Sequence, residues 1–365
     1  MSERPVAFGR YMLLRRIAAG GMAEIFLAVQ RGDLGAAGTF EKRLVIKRIL
    51  PELNDDATYV EMLLHEAKIA TTLDHPNVAH VFDAGKIDGR WFIAMEYIHG
   101  EDLRAIVRQM KRAGVLAFPL EHALAIVLGA CAGLVHAHER RGEGGDALAI
   151  VHRDVSPQNI VVTFAGDVKL VDFGIAESAT EHCPADTKGK LKGKVAYMSP
   201  EQARGEPLDA RSDLFALGTI LFELTTGKRL FKGQSEIETL MLVCDRDVPR
   251  PSDVAPGYPP ALERIVMKAL AKDRGERYAS GRELQADLEA FVREERLGVS
   301  RLALEQFMRS LFPARDESAG LRLSAPPALA EAPARNRPLP RRPGPVLLAA
   351  AAVAIVAALV ALLVR

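Results

Sequence analysis

The first hundred residues alternate between apolar, β-branched runs and short polar breaks, a pattern typical of β-strands. Two of these runs, residues 11–30 and 42–50, read YMLLRRIAAGGMAEIFLAVQ and KRLVIKRIL, and a glycine pair interrupts the first. Residues 57–73 differ, because their apolar side chains recur at helical spacing. The pattern therefore predicts a small, strand-rich lobe that contains one helix and ends near residue 95.

Beyond residue 103 the apolar positions follow helical spacing. The segments LEHALAIVLGACAGLVHAHERR (120–141) and SDLFALGTILFELTTG (212–227) are long and largely apolar, which favours buried helices. The shorter segment RLALEQFMRSLF (301–312) is amphipathic, and we expect it to pack back onto the domain rather than bind a partner. A small β-rich lobe, a hinge and a larger helical lobe make an α+β, bilobal domain over residues 11–296.

The remaining chain predicts a linker and a membrane anchor. Residues 297–344 continue after the short helix as a Pro/Ala/Arg-rich stretch, which favours an extended, disordered linker. The run VLLAAAAVAIVAALVALLV (346–364) has no polar residue, whereas a buried core helix would normally keep a polar face. Its length predicts one transmembrane helix over 345–364.

The charges around this run predict its orientation. Four arginines precede the run and one follows it, so the positive-inside rule predicts a single-pass protein of the cytoplasmic membrane. The domain would then lie in the cytoplasm, and little chain would remain beyond the membrane to sense a ligand. The first residues, MSERPVAFGR, lack the apolar core of a secretory signal.

Composition narrows the function classes. The 365-residue chain has a formal net charge of +1, so its overall charge gives no reason to expect a nucleic-acid partner. Cys131, Cys183 and Cys244 are too few and too scattered for a disulfide framework or a zinc site. They fit a reducing compartment.

Two features of the small lobe suit phosphate binding. A turn of small residues separates the strand-like runs, and backbone N–H groups there can approach phosphate oxygens closely. The candidate residues are Ile17, Ala18, Ala19, Gly20, Gly21, Met22, Ala23, Glu24 and Ile25. Lys47 lies within a strand-like run, where its charge needs a partner, and Glu66 in the predicted helix is a candidate. The alternative is that both charges are solvated on the surface.

In the helical lobe, the stretches IVHRDVSPQNI (150–160) and VDFG place polar groups at fixed spacings. Asp154 offers a carboxylate base, Asn159 follows it, and Asp172 lies in VDFG. The side chains of Asn159 and Asp172 carry the oxygen ligands that Mg²⁺ prefers, and Mg²⁺ takes its other ligands from phosphates and water. These residues therefore indicate a site for Mg²⁺ and phosphates.

In their order and spacing these motifs resemble those of the protein-kinase superfamily, specifically the bacterial serine/threonine kinases of eukaryotic type, over residues 11–296. The resemblance implies transfer of the γ-phosphate of ATP to hydroxyl groups of protein substrates, with Mg²⁺. It also implies autophosphorylation and leaves dimerisation for that reaction open. By this resemblance Lys47 holds the α/β-phosphates and pairs with Glu66. Asp154 deprotonates the acceptor hydroxyl, while Asn159 and Asp172 hold Mg²⁺.

The same resemblance implies supporting roles for other residues. The expected roles are Met95 as gatekeeper, Glu96 and Ile98 as adenine-binding hinge residues, Glu201 as the partner of Arg277, Asp213 as a brace of the catalytic loop (residues 150–160), and His152 with Phe173 as a stacked spine. The glycine-rich loop keeps its central Gly20 but carries Ala18 and Ala23 where the family has glycines, so we expect a stiffer loop.

The sequence departs from the family pattern at two positions that are expected to lie near the transferred phosphate. Ser156 replaces the family's lysine two positions after Asp154, and Lys194 replaces a threonine that usually contacts this lysine. Losing one such positive group typically costs about 10²- to 10³-fold in rate. We hypothesise that the Lys194 ammonium lies beside Asp154 and replaces the missing charge, and some bacterial kinases resemble this chain in carrying both exchanges. The alternative is that Lys194 points to solvent.

Regulation and specificity are only outlined by the sequence. Arg153 precedes Asp154, as in kinases whose activation segment accepts a phosphate. In this chain that segment lies between Asp172 and Glu201, and the candidate acceptors in it are Ser178, Thr180 and Thr187. Dual specificity stays open, because both usual serine/threonine markers are altered. Two other function classes also stay open: a pseudokinase that binds nucleotide without transferring phosphate, and a membrane-tethered interaction module.

Overall fold

The computed structural model of the chain describes residues 4–33, 39–115, 117–142, 144–173 and 194–313. These residues belong to one folding unit. The predicted linker beyond residue 313, the transmembrane segment and the candidate phosphoacceptors Ser178, Thr180 and Thr187 lie outside the described residues.

The N-terminal lobe is a six-stranded antiparallel sheet with strand order β1-β2-β3-β4-β6-β5. The strands are β1 (Val6–Phe8), β2 (Tyr11–Ala19), β3 (Ala23–Asp33), β4 (Thr39–Ile49), β5 (Val81–Ile87) and β6 (Arg90–Glu96), and the lobe's long helix is α1 (Ala57–Ala70). Helix α1 begins after Asp56, whose carboxylate accepts a hydrogen bond from the Thr58 backbone N–H at 2.9 Å. The strand-rich lobe with one long helix is therefore as the sequence predicts.

The C-terminal lobe is mainly helical. Its helices are α2 (Leu103–Arg112), α3 (Leu120–His138), α4 (Pro200–Ala203), α5 (Ala210–Thr226), α6 (Glu236–Asp245), α7 (Pro251–Val254), α8 (Pro260–Ala269), α9 (Gly281–Glu294) and α10 (Arg301–Leu311). Helix α5 is buried along most of its length and ends at Gly227, which adopts the left-handed conformation with φ 68°. Within the described residues, α3 alone is long and apolar enough to cross a membrane. It packs against α5 and α9 as the core helix of this lobe.

A second, three-stranded sheet was not predicted from the sequence. It consists of β7 (Gly100–Asp102), β8 (Ile160–Thr163) and β9 (Val168–Leu170), in the order β7-β8-β9. Strands of three or four residues are too short to show a two-residue alternation. The sheet matters for function because β8 begins directly after Asn159 and β9 ends two residues before Asp172.

Helix α10 packs against the C-terminal lobe, which confirms the sequence prediction. Leu304, Met308 and Leu311 are buried in the main core. At the start of the helix, the Arg301 guanidinium donates to the Ala165 carbonyl at 2.9 Å, in the turn between β8 and β9. The C-terminal extension of the domain therefore supports the hairpin that carries the predicted metal ligands.

Candidate active site

Lys47 and Glu66 form an ion pair where the β-rich lobe meets the helical lobe. Lys47 lies on β4, where it is paired with Ile25 of β3 and Ile93 of β6. Its ammonium lies 2.6 Å from Glu66 Oε1, on α1, and 3.2 Å from Asp172 Oδ1. The Lys47 and Glu66 side chains are 16% and 10% exposed, so they are not the solvated surface charges of the alternative interpretation.

The charges of Lys47 and Asp172 support each other, whereas burial and the nearby Asp172 carboxylate raise the pKa of Glu66. Burial opposes the charge on Lys47, but the carboxylates of Asp172 and Glu66 outweigh it and raise the pKa of the ammonium above its usual value. In turn, Lys47 lowers the pKa of Asp172. Both groups are therefore charged at neutral pH, as a phosphate-binding lysine and a metal-binding carboxylate must be.

Asp154 and Asn159 are held together within the loop that precedes β8. The Asn159 side-chain N–H₂ group donates to the Asp154 backbone carbonyl at 2.8 Å and to Asp154 Oδ2 at 2.7 Å. These two bonds fix the orientation of the amide and leave its oxygen for another partner. The Asn159 backbone carbonyl accepts a bond of 3.0 Å from Val171, which joins this loop to the segment that contains Asp172.

Asp213 braces the backbone of the same loop from the buried helix α5. Its carboxylate accepts hydrogen bonds from the backbone N–H groups of His152 and Arg153 at 2.7 and 2.9 Å, and it lies 2.7 Å from His138 Nε2. Arg153 has φ 66°, a left-handed conformation that costs a non-glycine residue about 1–3 kcal/mol. The hydrogen bonds to Asp213 hold the loop in this strained shape beside Asp154.

His138 was missed in the sequence analysis. The available signal was a histidine in the last turn of a long apolar helix, where a buried polar ring needs a partner. His152, in the loop itself, packs on Phe173 with ring centroids 4.5 Å apart. Burial lowers the pKa of His152, so its ring is neutral at pH 7 and stacks as an uncharged group.

Lys194 lies beside Asp154. Its ammonium forms a short ion pair with Asp154 Oδ2, and the two side chains are 28% and 12% exposed. The alternative in which Lys194 points to solvent therefore does not hold. Ser156 is 2% exposed, and its hydroxyl has no hydrogen-bond partner among the described residues. The positive charge beside Asp154 therefore comes from position 194, while position 156 carries an uncharged side chain.

Glu201 and Arg277 form a buried bidentate pair below the site. The two terminal guanidinium nitrogens donate to the two carboxylate oxygens at 2.6 and 2.8 Å, and the Ser212 hydroxyl donates to Oε1 at 2.7 Å. Burial alone would raise the pKa of Glu201, but the bonds from Arg277 and Ser212 lower it to about 2. The pair anchors the segment from Lys194 to Glu201 to the core of the helical lobe.

The glycine-rich segment is the hairpin turn between β2 and β3. The Gly20 N–H donates to the Ala23 carbonyl at 2.8 Å, and Ala18 pairs with Ile25 across the hairpin. Ala18 and Ala23 thus occupy ordinary strand positions, where an alanine methyl group fits without a left-handed backbone. The structure explains why these two alanines are compatible with the turn. Ile25, on the β3 side of this turn, pairs with Lys47 of the next strand, β4, so residues 17–25 lie close to the lysine.

The predicted hinge follows β6 directly. Met95 and Glu96 close this strand, and Glu96 pairs with Leu44 of β4. The Glu96 carboxylate is bound to the Lys169 ammonium at 2.8 Å, so its side chain is already committed. The backbone of Glu96 and Ile98 is what this segment can offer to a nucleotide base.

The oxygen donors of the cleft fit Mg²⁺ bound together with a nucleotide. The described residues hold no group of three or more His, Cys, Asp or Glu side chains that could bind a metal ion by itself. The oriented amide oxygen of Asn159 and the second carboxylate oxygen of Asp172 instead provide two hard ligands. Mg²⁺ characteristically takes one or two protein ligands and completes its shell with phosphates and water.

A lysine is paired with a helix carboxylate, and a further carboxylate and two oxygens of the kind that Mg²⁺ prefers lie beside it, between a β-rich and a helical lobe. This arrangement is typical of a two-lobed phosphotransferase domain. Residues 11–288 match the protein kinase domain family. The chain belongs to this family.

Similar proteins and structures agree with this assignment. The tyrosine-protein kinase MasK of Myxococcus xanthus is 40% identical over 305 residues, which are 84% of this chain and 46% of that protein. The serine/threonine-protein kinase PrkC of Bacillus subtilis is 34% identical over 298 residues, 82% of this chain and 43% of that protein. The chain therefore spans less than half the length of these two relatives. The crystal structure of the Mycobacterium tuberculosis PknI kinase domain covers 78% of this chain and 97% of its own, with TM-score 0.57 and 27% identity.

Proposed function

We propose that this protein is an ATP- and Mg²⁺-dependent kinase that transfers the γ-phosphate to serine and threonine hydroxyls of proteins. The observation that carries the proposal is the joined cluster of Lys47, Glu66 and Asp172, which lies in one cleft with Asp154 and Asn159. A pseudokinase scaffold would not need to keep both the charged lysine and the oriented base.

Each residue of the cleft has a role in this proposal. Lys47, held by Glu66, neutralises the α/β-phosphates, and the backbone of Glu96 and Ile98 binds adenine. Asn159 and Asp172 hold Mg²⁺, which when bound neutralises charge that develops on the phosphates.

Asp154 is placed by Asn159 to orient the acceptor hydroxyl and to take its proton. The Lys194 ammonium, beside this carboxylate, faces the transferred phosphate. It provides positive charge where negative charge develops in the transition state.

The acceptor class rests on the sequence of the catalytic loop. Tyrosine kinases share an arginine in the segment after the catalytic aspartate, and the corresponding segment VSPQ after Asp154 lacks it. PrkC, in addition, is named a serine/threonine-protein kinase. MasK is named a tyrosine-protein kinase. Phosphoamino-acid analysis of the autophosphorylated chain distinguishes the two classes, and phosphotyrosine as the main product would contradict serine/threonine specificity.

Replacing Lys47 by methionine is the direct test of phosphate transfer. The full-length chain in detergent is incubated with labelled ATP and Mg²⁺, and incorporated phosphate is measured. We expect Lys47→Met to lower the rate about 10²-fold, because one preorganised charge at the phosphates is lost. Arg43→Met is the matched control, since Arg43 is an exposed cation on the same strand. A wild-type chain that binds ATP without transferring phosphate would be a pseudokinase and would contradict the proposal.

We also propose that residues 346–364 anchor the kinase in the cytoplasmic membrane with its catalytic domain in the cytoplasm. The support is the uninterrupted apolar run and the arginines that precede it. The full-length chain should sediment with membranes and resist extraction by salt and alkali, whereas a chain ending at residue 344 should remain soluble. Full-length protein in the soluble fraction would exclude the anchor and would leave the kinase assignment untouched.

Arg153 provides a route to regulation. Its guanidinium has no hydrogen-bond or ion-pair partner among the described residues, although its backbone carbonyl accepts a bond from Gln202 at 2.8 Å. We propose that it pairs with a phosphate on Ser178, Thr180 or Thr187 and so orders the activation segment. Mass spectrometry of the autophosphorylated chain would identify the acceptor, and absence of phosphate from all three positions would exclude this route.

A further inference from the structure

A cavity of about 340 Å³ opens beside the catalytic loop, in the helical lobe. Its walls come from α2, from the end of α5 and from the loop residues Ser156, Pro157 and Gln158. The wall and the loop are directly joined, because the Arg104 backbone N–H donates to the Pro157 carbonyl at 3.1 Å. One wall of the cavity is therefore formed by loop residues that begin two positions after Asp154.

The rim of this cavity is strongly basic. The lining includes five cations, Arg104, Arg108, Lys111, Lys228 and Arg229, and a single carboxylate, Glu223. That carboxylate is already neutralised, since it accepts hydrogen bonds of 2.8 Å from both the Arg229 guanidinium and the Tyr197 hydroxyl. For the other four cations, the described part of the chain provides no ion-pair partner.

The inner wall is apolar, with one unsatisfied polar group. Leu103, Met110, Tyr197 and Leu224 are buried side chains of the lining. The Ser156 hydroxyl is the only buried polar side-chain atom of the lining that lacks a hydrogen-bond partner among the described residues. That oxygen is closed off from the cavity, so the surface that the inner wall offers to a bound chain is apolar.

From this charge complementarity we infer that the cavity binds the substrate chain and selects protein substrates that carry an acidic side chain close to the acceptor hydroxyl. This inference rests on the proposed kinase function and adds the substrate class. The unpaired cations of α2 attract the acidic group, while the apolar wall takes an adjacent side chain. A guanidinium recognises a carboxylate and a phosphate through the same paired geometry, so an aspartate, a glutamate or a previously phosphorylated residue could supply the negative charge.

The test uses the full-length kinase in detergent with a set of synthetic serine peptides. Each peptide carries aspartate, phosphoserine, alanine or lysine at one position within four residues of the acceptor, and KM and kcat are measured separately. We expect at least one position where aspartate or phosphoserine lowers KM about fivefold relative to alanine, while lysine raises it. A larger effect of phosphoserine than of aspartate would identify a primed substrate, and the reverse would identify an unmodified acidic one.

Charge reversal separates recognition from a structural effect. Arg108→Glu should reverse the preference, raising KM for the acidic peptide and lowering it for the lysine peptide. A merely structural defect would affect both peptides alike. Arg112→Glu is the matched control, because Arg112 is exposed on the same helix but does not line the cavity, and it should leave both KM values unchanged.

Two results would overturn the inference: equal KM values for acidic and alanine peptides at every position, or an unchanged preference in Arg108→Glu. Autophosphorylation from labelled ATP is measured in parallel on the wild-type chain. If autophosphorylation is present and the acidic preference is absent, the inference on substrate class fails while the kinase function stands. If autophosphorylation is also absent, the proposed function itself fails.

Discussion

Replacing Lys194 by methionine is expected to lower kcat about 10²- to 10³-fold, the usual effect of removing one preorganised group that stabilises transition-state charge. The reason is its position: the ammonium is paired with Asp154, while position 156 carries an uncharged, buried serine. A contact that strengthens in the transition state affects kcat more than the KM for ATP. Steady-state kinetics of peptide phosphorylation on the full-length chain would measure both constants.

A control variant and a reciprocal double variant test whether Lys194 compensates for the lysine that is absent at position 156. Lys232→Met removes an exposed lysine of the same lobe and should leave kcat within about twofold of the wild type, as for surface substitutions in general. The double variant Ser156→Lys with Lys194→Thr restores the arrangement that the family usually carries, and it should recover activity lost in Lys194→Thr alone. Wild-type kcat in Lys194→Met would contradict the role of Lys194.

The long elements of the fold could be predicted because their patterns repeat. Helices α3 and α5 extend over many turns, and β3 and β4 are long strands, so hydrophobic periodicity identified all four. The sheet formed by β7, β8 and β9 has strands too short to carry a pattern, and only tertiary packing defines it. Yet this sheet fixes where Asn159 and Asp172 lie. The relative position of these two predicted metal ligands could therefore not be predicted from hydrophobic periodicity.

In the candidate site, too, some features could be predicted from the sequence and others depend on tertiary packing. The pairing of Lys47 with Glu66 could be expected because a lysine inside an apolar strand needs a partner, and motif order identified one. The cavity beside the catalytic loop could not be expected. Arg104 and Arg108 are spaced to share one face of α2, but the sequence does not say that this face meets the catalytic loop. That relation depends on how α2 and α5 pack.

The largest expected effect on stability comes from Arg277→Met, which should lower the free energy of unfolding by about 3–5 kcal/mol. Arg277 is fully buried, and its loss would leave the Glu201 carboxylate charged and unpaired in the core. Arg277 also donates to the carbonyls of Ala271 and Lys272 at 2.7 and 3.1 Å, and these acceptors would lose their partner as well. Urea unfolding followed by circular dichroism would measure the change.

An exposed ion pair provides the matched control for this variant. Arg293→Met breaks the contact between Arg293 and Glu289, whose side chains are 68% and 45% exposed, respectively. It should change the free energy of unfolding by less than about 1 kcal/mol. The double variant Glu201→Leu with Arg277→Met removes both charges and should recover part of the loss, because the cost lies mainly in the unpaired charge. If Arg277→Met and Arg293→Met lowered the free energy of unfolding equally, burial of the Glu201–Arg277 pair would not explain the cost of breaking it.

The Glu201–Arg277 pair should also make the free energy of unfolding depend on pH. The pKa of Glu201 falls from its ordinary value of 4.5 to about 2 in the folded chain. Because the folded state binds this proton less readily than the unfolded state, the contribution of the pair is fully present above about pH 5 and is lost as pH falls towards 2. In Arg277→Met the carboxyl would bind a proton more readily in the folded chain. The loss of stability between pH 5 and pH 3 should therefore be smaller in the variant than in the wild type, and parallel pH profiles would contradict the proposed role of Arg277 in holding Glu201 ionised.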